Sequence, residues 1–175
     1  MGMSCVVVDL GNACWVDKHF TDDIQTRQYR APEVVLQAGY GPSADMWSLG
    51  CMAFELLCGD LLFDPKSVSD DAGGGGWSRD EDHLAQMIEL VGPMPRSLAM
   101  RGRRSRDFFD SRGRLRNIDE LRFWGPASVL AEKYGLSVPE ARFAESFLLP
   151  LLELHPGRRM TAAEASAHPW VSTQL

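Results

Sequence analysis

Long apolar stretches are missing from this chain. Its longest apolar helix candidate, near Pro42 to Cys58, carries Asp45 and Glu55 and is too short to span a bilayer. The N-terminus, Met1-Gly2-Met3-Ser4, has no basic segment followed by an apolar one, so no signal peptide is expected. Val6 stands where a myristoylation signal needs Ser or Thr. Cysteine is scarce: Cys5, Cys14, Cys51 and Cys58, with no C-x-x-C pair. They read as reduced core thiols in an intracellular protein, not as a disulfide frame or zinc site. Positive charge is in deficit, with 18 Lys and Arg against 24 Asp and Glu, a net charge of -6 and a pI of about 5.2. Such a balance does not suggest a nucleic-acid binder and tolerates basic partners. No G-x-G-x-x-G occurs. The run Gly73-Gly74-Gly75-Gly76 lacks that spacing and a flanking strand, so a flexible linker is favoured over a phosphate loop.

What is present fits one globular domain: 175 residues, 45% hydrophobic and 24% charged. Cys5-Val6-Val7-Val8 reads as a short buried strand, which would need partner strands. Residues 9–33 show no sustained period and read as a long loop, a class that is usually functional. Ser43 to Cys58 is apolar nearly all round and is expected to be a helix buried on every side, stopped by Gly59. Residues 64–77 form a surface insertion. Ser78-Arg79-Asp80-Glu81 reads as a capping box opening a helix to about Val91, where Gly92-Pro93 ends it. Ser137-Val138-Pro139-Glu140 opens another helix through Leu154, which Pro150 should kink or split. Thr161-Ala162-Ala163-Glu164 opens a short last helix near His168-Pro169-Trp170. The segment 93–124 is irregular and holds nine of the arginines, from Arg96 to Arg122. Its functional reading is a nucleic-acid patch or nuclear-import signal; the plainer one is a solvated face with interleaved acids.

Several motifs stand in one order: Asp9-Leu10-Gly11, then Ala31-Pro32-Glu33, then Asp45-Met46-Trp47-Ser48-Leu49-Gly50, then Pro156-Gly157-Arg158-Arg159-Met160-Thr161-Ala162-Ala163-Glu164. Together they resemble the C-terminal half of a eukaryotic protein kinase. Asn12-Ala13-Cys14-Trp15, Ile24-Gln25-Thr26-Arg27-Gln28-Tyr29-Arg30, Arg79-Asp80-Glu81-Asp82-His83 and Phe147-Leu148-Leu149-Pro150 narrow the similarity to the serine/arginine-rich protein-specific kinases. The resemblance runs from about Val6 to Trp170. It implies a mainly α fold: the C-terminal lobe of the protein-kinase-like (α+β) fold, truncated at its N-terminal side. The expected divisions are an activation segment at 9–33, a helical lobe at 43–170 and a Gly-rich insertion at about 66–77.

The resemblance also implies roles. Asp9 matches the carboxylate that binds the Mg2+ bridging the ATP phosphates. Glu33 would pair with Arg159, and Asp45 would accept N–H groups of a catalytic loop; these are structural. Arg27, Arg30 and Arg79 match a basic pocket for already phosphorylated serine, against ordinary surface pairing. Asp60, Asp82, Glu89 and Lys133 match a docking groove for Arg repeats. By spacing alone, Asp82 and Glu89 share one helix face. Trp124 lies near that groove in the family, with a core role equally open. Thr21, Thr26 or Tyr29 could take an activating phosphate, although the resemblance suggests a loop ordered without one.

The 175 residues contain no V-A-I-K lysine and no H-R-D-x-x-x-x-N, so no catalytic residue is assigned within them. One reading is part of a kinase using ATP and Mg2+ on serines of Arg-Ser-rich splicing proteins, inactive as this chain alone. A second is a non-catalytic docking module for Arg-rich partners; a third is a nucleic-acid binder through residues 96–122. The first implies a cytoplasmic and nuclear monomer with no membrane partner and no direct nucleic acid.

Overall fold

The computed structural model describes residues 6, 8–69 and 76–172. The helices, in chain order, are α1 (Pro32–Val35), α2 (Ser43–Cys58), α3 (Arg79–Val91), α4 (Arg96–Ala99), α5 (Ser105–Phe108), α6 (Pro126–Glu132), α7 (Val138–Leu151), α8 (Ala162–Ala167) and α9 (Pro169–Ser172). Short 3-10 turns stand at Leu10–Asn12, Arg27–Tyr29 and Pro156–Arg158. Among the described residues there is no strand, only isolated antiparallel bridges such as Val68 with Trp77 and Phe109 with Leu115. The strand expected at 5–8 is not formed by its described members. Val6 and Val8 are exposed, with no neighbouring strand to pair them, while Cys5 and Val7 lie outside the described residues. No helix among the described residues is long and apolar enough to cross a membrane.

α2 is the axis of the core. Ala44, Trp47, Gly50, Cys51 and Phe54, at helical spacing, are buried, and α2 packs on α7, which also carries α6. Trp47, Phe54, Phe63, Leu148, Leu151 and Leu152 lose nearly all contact with water. Each such side chain contributes about 1.5–3 kcal/mol of transfer free energy. The expectation that α2 is buried on every side is corrected. Met52, Leu56 and Leu57 are exposed, because no described element covers that face. Gly59 ends the helix with φ 72°, a left-handed cap that lacks the Cβ penalty.

Three N-caps have the expected serine or threonine, but they differ. At Ser137 and Thr161 the box is reciprocal. At Ser78 it is half made: the hydroxyl accepts the Glu81 N–H at 3.2 Å, and the Glu81 carboxylate turns elsewhere. It accepts the backbone N–H groups of Arg116 and Asn117 at 3.1 and 2.8 Å and the Asn117 side chain at 2.7 Å. A buried carboxylate needs several donors, and this loop supplies them. Pro150 neither kinks nor splits the middle of α7. It is the next-to-last residue, and the helix stops at Leu151 instead of reaching Leu154.

The thiol expectation holds for Cys51, which is buried, but Cys14 is exposed and Cys58 half-buried; Cys5 lies outside the described residues. Cys14 sits on the open 9–33 loop, 3.7 Å from the Tyr40 hydroxyl. The glycine run and Asp70–Asp71 of the insertion lie outside the described residues but for Gly76.

Candidate functional site

The loop from Asp9 divides in two. Residues 8–23 are exposed. Asp9 is at their start with φ 62° and ψ 60°, a left-handed backbone in a non-glycine residue. Asp and Asn tolerate that conformation best, and it is enriched at functional turns. The second half is tied down. Gln25, also at positive φ, donates to Ala44 O at 2.8 Å and Ser48 Oγ at 2.7 Å, and its Oε1 accepts the Ala31 N–H at 2.9 Å. Ser48 in turn donates to Tyr29 O, and the Tyr29 hydroxyl donates to Glu55 at 2.6 Å. The bond to Glu55, with burial, raises the Tyr29 pKa. The loop end is thus fastened to α2 through Gln25, Ser48, Tyr29 and Glu55. Gln25 stands in the Ile24–Arg30 stretch, but the stretch gives it no role; its partners are 6 to 23 residues away.

Glu33 and Arg159 meet in the core, both fully buried at the side chain, through bonds of 2.7 and 2.9 Å. The remaining Arg159 donors reach Glu153 O and Ser43 O, and its guanidinium lies 5.3 Å from the Trp47 ring centre. A bidentate pair with its other donors satisfied can sit in the core. It joins the end of the loop to α2 and to the segment after α7.

The basic residues are arranged around an acid. Arg27 pairs with Asp80 through its Nη1, and Arg104 donates to the other Asp80 oxygen at 2.8 Å. Burial pushes the Asp80 carboxyl up, and the two arginines more than offset it, leaving the group below its ordinary value. Arg30 is held apart, by Gln25 O at 2.8 Å and Asp23 at 2.9 Å. Arg79 is exposed. Arg104 was not singled out by sequence; it lay among the arginines of 93–124. Gly102 places it: a Cβ there would come within 2.0 Å of the Leu36 carbonyl oxygen. Only glycine allows the turn to lie so close. The Arg103 and Arg104 N–H groups then reach Gln37 O and Leu36 O at 3.2 and 3.1 Å.

Two other arginines of this segment are paired with acids. Arg103 pairs with Asp22, and Arg114 with Asp110 at 3.1 Å.

Of the residues assigned to a groove, Glu89 and Lys133 line a pocket of about 520 Å³, while Asp60 and Asp82 are bonded to residues of its lining. That lining also includes Phe54, Leu62, Phe63, Leu90 and Trp124. Asp60 accepts the Tyr134 hydroxyl at 2.9 Å and Lys133 Nζ at 3.2 Å, and these bonds lower its pKa. Glu89 Oε1 accepts the Arg122 N–H at 2.9 Å. Asp82 lies beside the pocket and is bonded to Lys66 N and Gln86 Nε2 at 2.7 and 2.8 Å. Trp124 is 41% exposed and lines the pocket, so a core role for it is corrected; its indole N–H donates to Glu132. A second hollow of about 720 Å³ lies between the exposed loop and α2, with Asp45, Tyr40, Cys14 and Arg30 in its lining.

The protein kinase domain family matches residues 3–171. The chain belongs to the protein kinase family. Within that family it stands with the serine/arginine-rich protein-specific kinases. It is 53% identical to SRSF protein kinase 3 of Mus musculus over 166 residues, 95% of this chain and 28% of that protein. It is 48% identical to Serine/threonine-protein kinase SKY1 of Saccharomyces cerevisiae over 169 residues, 97% of this chain and 22% of that protein. Against Protein kinase dsk1 of Schizosaccharomyces pombe the identity is 48% over 165 residues, 94% of this chain and 29% of that protein. The chain therefore spans less than a third of the length of these kinases. Its mainly helical fold is that of the C-terminal lobe of the kinase domain.

A kinase domain works with ATP and Mg2+. Among the described residues no three His, Cys, Asp or Glu side chains gather as a metal site. Asp9 is a lone, exposed carboxylate. Mg2+ is held by one or two carboxylates with substrate phosphates and water completing the shell, and a single carboxylate such as Asp9 could supply one of them.

Proposed function

We propose that this chain is the substrate-recognising part of a serine/threonine kinase that phosphorylates serines in Arg-Ser repeats of splicing proteins in the cytoplasm and nucleus. Phosphate transfer belongs to the complete domain, in which Asp9 would hold Mg2+ on the ATP phosphates. Asp60, Asp82, Glu89 and Lys133 would receive the Arg repeat. Arg27, Arg30 and Arg79 would receive a serine already phosphorylated. Glu33, Asp45 and Arg159 have structural parts: the buried pair anchors the loop, and Asp45 faces the hollow beside it.

The observation that carries this proposal is that carboxylates and guanidinium groups are both carried by or bonded to α3. Acids lie beside an apolar pocket at α3, and guanidinium groups gather about Asp80 at the start of the same helix. An Arg-Ser repeat bearing phosphate carries both complementary charges. These 175 residues include no catalytic-loop base and no phosphate-positioning lysine. The purified chain with MgATP and an Arg-Ser peptide is accordingly expected to incorporate no phosphate. Magnesium-dependent phosphorylation of that peptide by the pure chain would overturn this. A docking module without catalysis is the second reading, which the same acidic residues would serve and which the absence of a catalytic-loop motif within the 175 residues favours.

A further inference from the structure

Serine stands next to arginine at four places in the chain: Ser78-Arg79, Arg96-Ser97, Arg104-Ser105-Arg106 and Ser111-Arg112. The fold sorts them. Ser78 caps α3, its hydroxyl accepting the Glu81 N–H. Ser105 is buried, and its hydroxyl accepts the Gly102 N–H at 2.8 Å. Ser97 is exposed but lies within α4, whose backbone would have to unwind to enter another protein's cleft. Ser111 is exposed at the tip of a tight turn. Phe109 and Leu115 are bridged and buried at the base of that turn. The Asp110 carboxylate accepts the Arg112 and Arg114 N–H groups at 2.8 and 2.9 Å, and the Gly113 N–H closes on Asp110 O at 3.0 Å. Gly113 takes φ 80°, which glycine adopts without strain. Ser111 is therefore presented to solvent from a pinned turn, and its hydroxyl has no hydrogen-bond partner among the described residues.

Two arginines stand beside it without a counter-charge. Arg96, from α4, reaches the Ser111 carbonyl oxygen with Nη2 at 3.3 Å, and a Cβ at Gly113 would meet the Arg96 Cγ at 3.8 Å. Arg112 is exposed, and neither its side chain nor that of Arg96 meets an acid among the described residues. The one carboxylate in the turn, Asp110, is taken by Arg114 at 3.1 and 3.2 Å. We propose that Ser111 is a phosphorylation site, written by a complete arginine-directed serine kinase of this chain's own family, and that Arg96 and Arg112 receive the phosphoryl group. The inference rests on the proposed Arg-Ser specificity and makes the kinase lobe itself a substrate. In the transfer, the bond from the γ-phosphorus of ATP to the ADP oxygen breaks as the Ser111 Oγ–P bond forms, and the hydroxyl proton passes to the enzyme's base. The product carries about -1.5 to -2 charges and three acceptor oxygens. Those oxygens suit two guanidinium forks. The modified turn is thereby tied to α4 through Arg96, and the exposed arginine-rich segment loses much of its positive charge.

The test incubates the 175-residue chain with complete SRSF protein kinase 3 of Mus musculus and MgATP, beside an Arg-Ser peptide, and maps the phosphate by tandem mass spectrometry. Phosphate is expected on Ser111 and absent from that position's variant Ser111→Ala, with Ser78, Ser97 and Ser105 unmodified. The chain phosphorylated on Ser111 is expected to melt about 2–4 °C above the unmodified one. Arg96→Met is expected to abolish that rise while Ser111 is still labelled. If Arg96→Met loses its helical circular dichroism, Arg112→Gln, phosphorylated to completion, takes its place and should show a smaller rise than wild type. No phosphate on Ser111, or phosphate on Ser97 in its stead, overturns the proposal. A melting temperature indifferent to the phosphate overturns the part given to Arg96 and Arg112. The peptide reports separately on the Arg-Ser reading: labelled, that reading stands even where Ser111 fails; unlabelled, it falls.

Discussion

His83 is fully buried, and neither of its ring nitrogens has a hydrogen-bond partner. It packs at 5.3 Å against Phe63, near Arg27 and Asp80. Burial first, and the Arg27 charge second, push its pKa down to about 3 from 6.5. The folded chain then keeps a neutral imidazole while the unfolded chain takes up a proton, so stability is lost as pH falls from 6.5 toward 3. His83→Leu removes that dependence. The difference in urea midpoint between variant and wild type should move in favour of the variant as pH drops from 7 to 4. Its slope should approach one proton, about 1.4 kcal/mol per pH unit. Parallel curves would mean that the imidazole titrates alike in both states. The Asp80 carboxyl, lowered from 3.8, acts in a separate window below that value. Asp9, Glu33 and Arg159 could be picked out by sequence because each sits inside a compact motif. His83, Gln25 and Arg104 could not, since what they do depends on partners brought together only by folding.

At the scale of elements, the fit of α2 against α7 turns on Gly50. A Cβ there would lie 3.0 Å from Leu151 Cβ and 3.1 Å from Leu152 Cδ2. Gly50→Ala would gain about 1 kcal/mol of helix propensity. Overpacking a closed interface costs about 1–3 kcal/mol. The net expectation is a lower melting temperature by thermal unfolding; an unchanged or raised one would show that the two helices can part without loss. Helix starts were legible because Ser78, Ser137 and Thr161 carry local chemistry. Which boxes would close was not. Glu81 answers to Asn117, 36 residues away, and no local rule contains that choice. The exposed ridge of Met52, Leu56 and Leu57 was misread for a similar reason: an apolar sequence declares what could be buried, and only the neighbours decide what is.

Over the whole molecule, two features coexist. The scaffold is internally closed: the buried Glu33–Arg159 pair, the α2–α7 core and the tethered loop end form one connected body. The surface chemistry is split between a largely apolar pocket carrying Glu89, Arg122 and Lys133 and the arginines about Asp80. The order of motifs was enough to read the mainly α lobe and its family. The state of the groove carboxylates was not, because Asp60, Asp82 and Glu89 all accept internal hydrogen bonds that spacing does not reveal. Each exposed pair with an incoming arginine is worth only about 0.2–1 kcal/mol. Binding must then be the sum of several weak contacts and fall with salt. The most direct measurement is a titration of the chain with an unphosphorylated Arg-Ser repeat peptide at rising ionic strength, beside the double variant Asp82→Asn/Glu89→Gln. The expected result is binding that weakens steadily with salt and is largely lost in the variant. No binding at low salt, or binding indifferent to salt and to both carboxylates, would contradict the assignment of this lobe to Arg-Ser recognition.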